Sequence, residues 1–181
     1  MKVLGISGSL RGDSYNTALL RNAPIELELW DGLKAIPPYD EDDDVEPAPP
    51  AVARMRAAVA GADAILFATP EYNASIPGQL KNAVDWLSRP LATNVLRNKP
   101  VAVIGATTGM FGAVWAQAEL RKVLGAMGAR VVGSEEGVPI PQAHERFDAD
   151  GRLIDAEIAA AIRSVVEELV AEVSPALAVA A

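Results

Sequence analysis

Two short, uninterrupted apolar segments place the strongest constraint on the fold of this chain. They are Ala64–Ala68 and Val101–Ala106, and neither alternates apolar with polar residues. A strand without a polar face must be covered on both sides, as central strands of parallel sheets are. The sequence therefore predicts two central strands of a parallel sheet.

Shorter patterns add three strands and a series of helices. Strands are predicted over Lys2–Ile6, over Ile25–Trp30, whose alternation is typical of an edge strand, and over Ala129–Gly133. Helical spacing is found over Tyr15–Arg21, around Val52, Met55 and Val59, from Pro77 to Leu87, within Phe111–Met127 and from Ile154 to Val173. Strands that alternate with helices imply a parallel sheet with helices on both faces. This pattern alone leaves the Rossmann and flavodoxin strand orders both open.

Two long segments show no periodicity. The loop over residues 36–50 is rich in Pro and Asp, and we predict a mobile surface segment without a core, in which Glu41–Asp44 is solvated. A second irregular stretch is predicted over residues 134–152. We expect a single domain over residues 1–174 and a frayed tail over 175–181.

Charge and cysteine content exclude several classes of function. The net charge of −8 opposes binding to nucleic acid. The chain has no cysteine, which excludes disulfides, thiolate zinc sites and dithiol redox relays, so redox chemistry would require a bound cofactor. No stretch is long and apolar enough to span a bilayer, and we expect a cytoplasmic protein without a membrane partner.

The first strand is followed by a turn that could bind phosphate. Residues 7–16 supply serine hydroxyls, backbone N–H groups, a helix N-terminus and the guanidinium of Arg11. Each of these groups favours a phosphate. An ordinary strand-to-helix turn, in which Ser and Gly serve geometry and capping, explains the same residues equally well.

Two further loops follow the two apolar strands. In the first, Pro70 and Pro77 flank a Glu-Tyr-Asn segment that could form a rigid ledge for a flat ligand. In the second, the small residues of Gly105–Gly112 would let a ligand approach the backbone. Ordered turns without a ligand remain the alternative for both loops.

Taken together, the three loops resemble the NADPH-dependent FMN reductase family, which includes quinone, chromate and azo reductases of flavodoxin-like fold. The motif G-S-L-R-x-x-S-x-N matches Gly8–Asn16, and P-E-Y-N-x-S-x-P-G-x-L-K-N-A-x-D-W matches Pro70–Trp86. A third motif, G-x-x-G-G-x-R-A-Q-x-x-L-R, is matched in part by Gly109–Arg121. There Ala113 replaces a glycine and Trp115 replaces the arginine.

The resemblance implies a three-layer α/β fold with a five-stranded parallel sheet in the order 2-1-3-4-5. It implies that FMN is the cofactor and that NADPH or NADH is the electron donor. Carried over by position, it predicts that the FMN phosphate is held by Ser9, Arg11, Ser14, Tyr15 and Asn16. The isoalloxazine would rest on backbone groups of Pro70, Glu71, Tyr72 and Asn73, and its other side would face Thr107, Thr108 and Gly109. No side chain is predicted to act as acid, base, nucleophile or metal ligand, since the cofactor carries the chemistry.

The predicted reaction passes electrons to a small acceptor, which could be a quinone, an azo compound, free flavin or an oxyanion such as chromate. The resemblance also implies a homodimer or homotetramer. The alternative is a flavodoxin-like electron carrier that does not itself oxidise NAD(P)H. A phosphoacceptor receiver domain is disfavoured, because it requires an acidic pair after the first strand and an Asp at the end of the third, where the sequence has Ser7-Gly8-Ser9 and Thr69-Pro70-Glu71.

Four other features receive structural interpretations. We predict that His144 lies at the surface and that Phe147–Gly151 is a turn rather than a calcium loop. Trp86 is expected in the core or in a dimer contact, and Trp115 in the core or at an interface.

Overall fold

The computed structural model describes residues 1–179, in which strands and helices alternate. The strands are β1 (Val3–Ser7), β2 (Leu27–Trp30), β3 (Ala64–Ala68), β4 (Pro100–Ala106), β5 (Arg130–Val131) and β6 (Pro139–Ile140). The helices are α1 (Tyr15–Arg21), α2 (Pro50–Ala60), α3 (Gly78–Leu87), α4 (Val114–Ala126) and α5 (Ala156–Val179).

All the strand pairs are parallel, and the main path of the sheet runs β2-β1-β3-β4-β5. This confirms the predicted order 2-1-3-4-5 and excludes the Rossmann order. In the register, Val3 lies opposite Leu27 on one side and Ala64 on the other. β2 lies at one edge of the sheet, as its alternation predicted.

The core has one layer on each face of the sheet, which explains the two continuous apolar runs. On one face, Ile65 and Phe67 pack with Met55, Leu80 and other residues of α2, α3 and α4. On the other face, the intervening residues of the strands pack against α1 and α5; this layer includes Leu66, Ala68, Leu19, Leu20, Ile162 and Leu169. Each strand therefore buries both its odd and its even side chains.

The predicted fifth strand is shorter than expected, and a sixth strand lies inside the stretch predicted to be irregular. β5 ends at Val131, and Gly133 adopts a φ of +85°. β6 then pairs with the carboxyl end of β4, with Gly105 opposite Pro139. The prediction failed here because a strand of two residues leaves no periodic pattern.

The Pro- and Asp-rich segment over residues 36–50 is anchored to the core, so its predicted lack of core is wrong, whereas its predicted mobility stays a prediction. Ile36 and Ala48 are buried in the core layer of α2, α3 and α4. The carbonyl oxygen of Pro37 accepts hydrogen bonds from Asn82 Nδ2 (2.7 Å) and Trp86 Nε1 (2.9 Å). Trp86 is thus a core residue that also fixes this loop.

The acidic run ends in an ion-pair cluster rather than in solvent. Asp44 lies between two guanidinium groups, 3.2 Å from Arg56 Nη2 and 2.7 Å from Arg89 Nε. The hydrogen bond from Arg89 is the main cause of a lowered pKa for the Asp44 carboxyl, with a smaller contribution from Arg56. The prediction that Glu41–Asp44 is solvated is therefore wrong for Asp44.

The last helix begins two residues later than predicted. Asp155 Oδ1 accepts hydrogen bonds from the N–H groups of Glu157 (3.0 Å) and Ile158 (3.1 Å), which leaves Ile154 outside the helix and exposed. The predicted frayed tail over 175–181 stays a prediction, since residues 180 and 181 lie outside the described part. No helix within residues 1–179 has the length and apolar character needed to cross a membrane.

Candidate functional site

The three predicted loops meet at the carboxyl edge of the sheet around a cavity of about 230 Å³. Its lining consists of Ser9, Arg11, Ser14, Tyr15, Asn16, Pro70, Glu71, Tyr72, Ala106, Thr107 and Thr108. Every residue predicted to contact FMN is in this lining except Asn73 and Gly109. Ala106, the last residue of β4, also lines the cavity and was not predicted from the sequence.

The serines of the β1–α1 turn shape its backbone. Ser14 is the N-cap of α1, and its Oγ accepts hydrogen bonds from the N–H groups of Asn16 (3.2 Å) and Thr17 (3.4 Å). Ser9 Oγ accepts one from the N–H of Arg11 (3.4 Å). Each hydroxyl keeps its own proton available to donate, so capping and ligand binding are compatible in this turn.

Several backbone donors of the same turn have no protein partner. Among the described residues, none accepts a hydrogen bond from the N–H groups of Gly12, Asp13, Ser14 or Tyr15. The exposed guanidinium of Arg11 donates from Nη2 to the carbonyl oxygen of Asp13 (2.6 Å), which holds it beside these groups. A turn with free N–H donors and a guanidinium favours an anion with several oxygens, such as a phosphate.

The Asn16 side chain bonds to the end of β4, and its predicted contact with the FMN phosphate stays a prediction. It is buried, its Nδ2 donates to the Ala106 carbonyl oxygen (3.0 Å), and its Oδ1 accepts from the Ala106 N–H (2.9 Å). Asn16 therefore pairs with the end of β4 as a strand backbone would. Its side chain fixes the turn to the sheet, whereas the free donors are backbone groups.

The Glu71 carboxylate caps a helix. Its Oε2 accepts hydrogen bonds from the N–H groups of Trp115 (3.0 Å) and Ala116 (3.1 Å), in the first turn of α4. Negative charge at this position compensates unpaired helical N–H groups. Oε2 is engaged in this way, whereas the resemblance implies a ligand contact through the backbone of Glu71, so the two roles are compatible.

The tip of the same loop is a tight turn. Tyr72 and Ser75 exchange two backbone hydrogen bonds of 2.9 and 3.1 Å, and the residues between them, Asn73 and Ala74, have φ angles of 53° and 59°. Two successive positive φ values are the signature of a type I′ turn. This turn directs Asn73 away from the cavity lining and leaves Tyr72 at its edge.

The β4–α4 loop is held by the segment around β6. The N–H of Thr107 donates to the carbonyl oxygen of Ile140 (3.1 Å), and the N–H of Ala143 donates to that of Thr107 (3.0 Å). Gly112 has a φ of +61°, and a Cβ there would lie 2.5 Å from the backbone nitrogen of Ile140, so only glycine fits. The next residue, Ala113, also lies in the left-handed region (φ 60°), a conformation that glycine adopts with less strain than alanine.

Two residues of the third motif are structural, a role the sequence did not reveal. The buried side chain of Gln117 bonds the Gly112 carbonyl oxygen (3.0 Å) and both backbone groups of Val138 (2.9 and 3.1 Å). Arg121 donates to the carbonyl oxygens of Val132 and Gly133, and burial lowers the pKa of its guanidinium. The only signal available in the sequence was the motif itself.

The remaining candidates behave as ordinary structural residues. His144 is half exposed, as predicted. Asp148 Oδ1 accepts hydrogen bonds from the N–H groups of Asp150 and Arg152, which forms the predicted turn. Within the described part of the chain, no three metal-ligating side chains cluster. Trp115 is 46% exposed, so its predicted place in the core is wrong.

Comparison with known proteins gives concordant matches. The family model of NADPH-dependent FMN reductases matches residues 1–145. An NAD(P)H-dependent FMN reductase of Pseudomonas aeruginosa is 47% identical over 161 residues, which cover 86% of this chain and 85% of that protein. A 2-hydroxy-1,4-benzoquinone reductase of a Burkholderia species is 38% identical over 160 residues, covering 85% and 86%. Among solved structures, FerB, a flavoenzyme NAD(P)H:(acceptor) oxidoreductase of Paracoccus denitrificans, superposes with a TM-score of 0.84 at 36% identity, covering 96% of this chain and 97% of that one.

Proposed function

Since this chain belongs to the NADPH-dependent FMN reductase family, we propose that the cavity at the carboxyl edge of its sheet holds FMN and that its acceptor is a quinone. The chain is a flavin-dependent oxidoreductase that uses FMN and NAD(P)H, which confirms the prediction made from the sequence. The comparisons favour this enzyme over an electron carrier that does not oxidise NAD(P)H.

The observation that carries the FMN site is the donor set of the β1–α1 turn. Ser9, Arg11, Ser14 and Tyr15 line the cavity. The hydroxyls of Ser9 and Ser14, the guanidinium of Arg11 and the free N–H groups of Ser14 and Tyr15 match the oxygens of a phosphomonoester. Asn16 completes this end of the site by fixing the turn to β4.

The opposite end of the cavity suits the flavin ring. Pro70, Glu71 and Tyr72 line one wall, and Thr107 and Thr108 line the other. Asn73 and Gly109 are the next residues of these two loops and lie outside the lining. The hydrogen bonds to β6 and the Glu71 cap on α4 hold these walls in place, so the site is formed before a ligand arrives. When bound, FMN takes two electrons from NAD(P)H and passes them to the acceptor.

A quinone is supported as acceptor by the names of the Burkholderia relative and of the quinone reductases of Pseudomonas putida and Escherichia coli, which are 37% and 36% identical to this chain. The overall reaction is NAD(P)H + H⁺ + quinone → NAD(P)⁺ + hydroquinone, which balances in atoms and electrons. No side chain of the cavity is assigned as a proton donor, because Glu71, its one carboxylate among the described lining residues, is engaged with α4.

Calorimetric titration of FMN into the apoprotein, followed by anaerobic NADH or NADPH oxidation with 1,4-naphthoquinone, tests this proposal. We expect one FMN per chain and a stoichiometric loss of NAD(P)H. Absence of FMN binding would overturn the site. FMN binding without NAD(P)H oxidation would instead support the carrier.

We also propose that the enzyme acts in the cytoplasm, where NAD(P)H is available, and that it forms a homodimer or homotetramer, as the family resemblance implies. Light scattering coupled to size-exclusion chromatography checks the oligomeric state; a monomer of 19.0 kDa would contradict it.

A further inference from the structure

Four exposed side chains with large apolar surfaces lie on the two loops beside the flavin-ring end of the cavity and on the first turn of α4, and we call them the aromatic rim. They are Tyr72, Met110, Phe111 and Trp115, whose exposed fractions are 51, 81, 62 and 46%. Tyr72 lines the cavity itself. Met110 and Phe111 continue the loop of Thr107–Gly109, and the backbone of Trp115 is bonded to Glu71.

The rim has an organised aromatic pair. The rings of Phe111 and Trp115 lie 4.9 Å apart at an interplanar angle of 56°, within the range of favourable aromatic pairs. One apolar side chain at the surface needs no explanation, whereas several adjacent ones beside a cavity mark a binding surface.

The rim also lacks the positive charge that the family motif would place there. Trp115 occupies the position of the motif arginine. Arg11 is the one cation among the described residues that line the cavity, and it belongs to the phosphate end. The chain as a whole carries a net charge of −8. An anionic acceptor that approaches the flavin-ring end would therefore find an acidic protein and no neighbouring rim cation.

We infer that Trp115, paired with Phe111, sets acceptor specificity: the enzyme favours uncharged aromatic acceptors over anionic ones. This inference rests on the proposed function, because it concerns acceptors that reach the same cavity. A neutral quinone ring gains apolar and stacking contact at the rim, whereas a sulfonate or a chromate-like oxyanion loses hydration without gaining a counter-charge.

The test uses FMN-loaded enzyme and two acceptors that share one reacting ring, 1,4-naphthoquinone and 1,4-naphthoquinone-2-sulfonate. The measured quantity is the ratio of kcat/KM for the sulfonate to that for the neutral quinone. The intrinsic potentials of the two acceptors cancel when this ratio is compared between variants. Trp115→Arg should raise the ratio about five- to tenfold at low ionic strength, and salt should reduce this gain.

Two further variants control for loss of the ring and for misfolding. Trp115→Phe keeps an uncharged aromatic ring, so its ratio should stay within about twofold of wild type. Trp115→Lys places a positive charge by a different side chain and should raise the ratio in the same direction as Trp115→Arg. Circular dichroism and FMN content establish that each variant is folded and loaded.

Each outcome separates the two proposals. Wild-type enzyme that binds FMN but reduces neither quinone overturns the proposed function. Wild-type turnover with an unchanged ratio in both cationic variants overturns only the specificity role of Trp115. An equal loss of kcat/KM with both acceptors in the Trp115 variants, together with a changed oligomeric state in light scattering, would also overturn the specificity role. Trp115 would then be a subunit contact.

Discussion

The carboxylate of Glu71 caps a helix that begins 43 positions later in the sequence: its Oε2 accepts the backbone N–H groups of Trp115 and Ala116 at 3.0 and 3.1 Å. One side chain thus joins the loop after β3 to the helix after β4. The two walls proposed to enclose the flavin ring are connected through this contact.

Glu71→Ala should lower the free energy of unfolding by about 1–2 kcal/mol, the typical cost of losing a helix cap and its favourable charge. Glu71→Gln keeps an acceptor oxygen and should lose about half as much. Urea unfolding of the apoprotein measures both. Glu167→Ala, at an exposed position on α5, is the matched control and should change stability by less than about 0.5 kcal/mol. Equal effects of Glu71→Ala and Glu167→Ala would contradict the capping role.

Asn16→Ala should be more costly, because it leaves the buried N–H and C=O of Ala106 without partners. A loss of about 2–3 kcal/mol is expected from these unpaired groups. Asn16→Asp keeps the shape and one acceptor but sets a carboxylate against the Ala106 carbonyl oxygen, so it should be less stable at pH 7 than at pH 3 relative to wild type. Urea unfolding at both pH values checks this. A wild-type-like Asn16→Ala variant would show that the Asn16–Ala106 contact contributes nothing.

The sequence predicted the sheet because its signals are local and strong. The short apolar runs of β3 and β4 are typical of strands buried on both faces, and the position of the ligand edge follows from parallel topology. The site loops were identified through their motifs. The structural roles of those motif residues could not be predicted from the sequence. Glu71 and Gln117 bond to groups far away in the chain, and such contacts leave no local pattern.

The errors have the same origin. The segment over 36–50 has the composition of a mobile loop, yet Asn82 and Trp86 of α3 anchor it by hydrogen bonds to the carbonyl oxygen of Pro37. β6 is specified by its pairing to Gly105 and Ala106 rather than by its two residues. In both cases a tertiary partner overrides the local signal.

Ala74→Gly should stabilise the protein. Ala74 is exposed and has a φ of 59°, a conformation that costs an L-residue about 1 kcal/mol or more and costs glycine little. We expect a gain of about 0.5–1 kcal/mol in urea unfolding. Ala53→Gly makes the same chemical change at an exposed site within α2 and should lower the free energy of unfolding by about 1 kcal/mol. The prediction fails if both substitutions destabilise the protein alike.

The ion pairs of Asp44 should make the free energy of unfolding depend on pH. The Asp44 pKa is lowered in the folded protein, chiefly by the hydrogen bond from Arg89, so the stability it adds is present above its unfolded pKa near 3.8 and is lost as pH falls through the folded pKa. Asp44→Asn should therefore cost roughly 1 kcal/mol at pH 7 and progressively less below pH 3.8. Urea unfolding from pH 7 to pH 2.5 measures the difference. Asp43→Asn, in the same loop and exposed, should show no such trend; a constant difference for Asp44→Asn across this range would be inconsistent with the ion pairs.

Arg11→Ala addresses the phosphate end of the cavity. A hydrogen bond to a charged group is worth about 1.5–3 kcal/mol, so FMN affinity should fall by roughly 10- to 150-fold in calorimetric titration. Arg11→Lys keeps the charge but not the planar pair of donors, so its FMN affinity should lie between that of wild type and that of Arg11→Ala. Arg21→Ala removes the same charge from an exposed site on α1 that does not line the cavity, and it should leave affinity within about twofold. If Arg11→Ala binds riboflavin as well as wild type does, and FMN more weakly, the lost contact is to the phosphate. Unchanged FMN affinity would place the phosphate elsewhere.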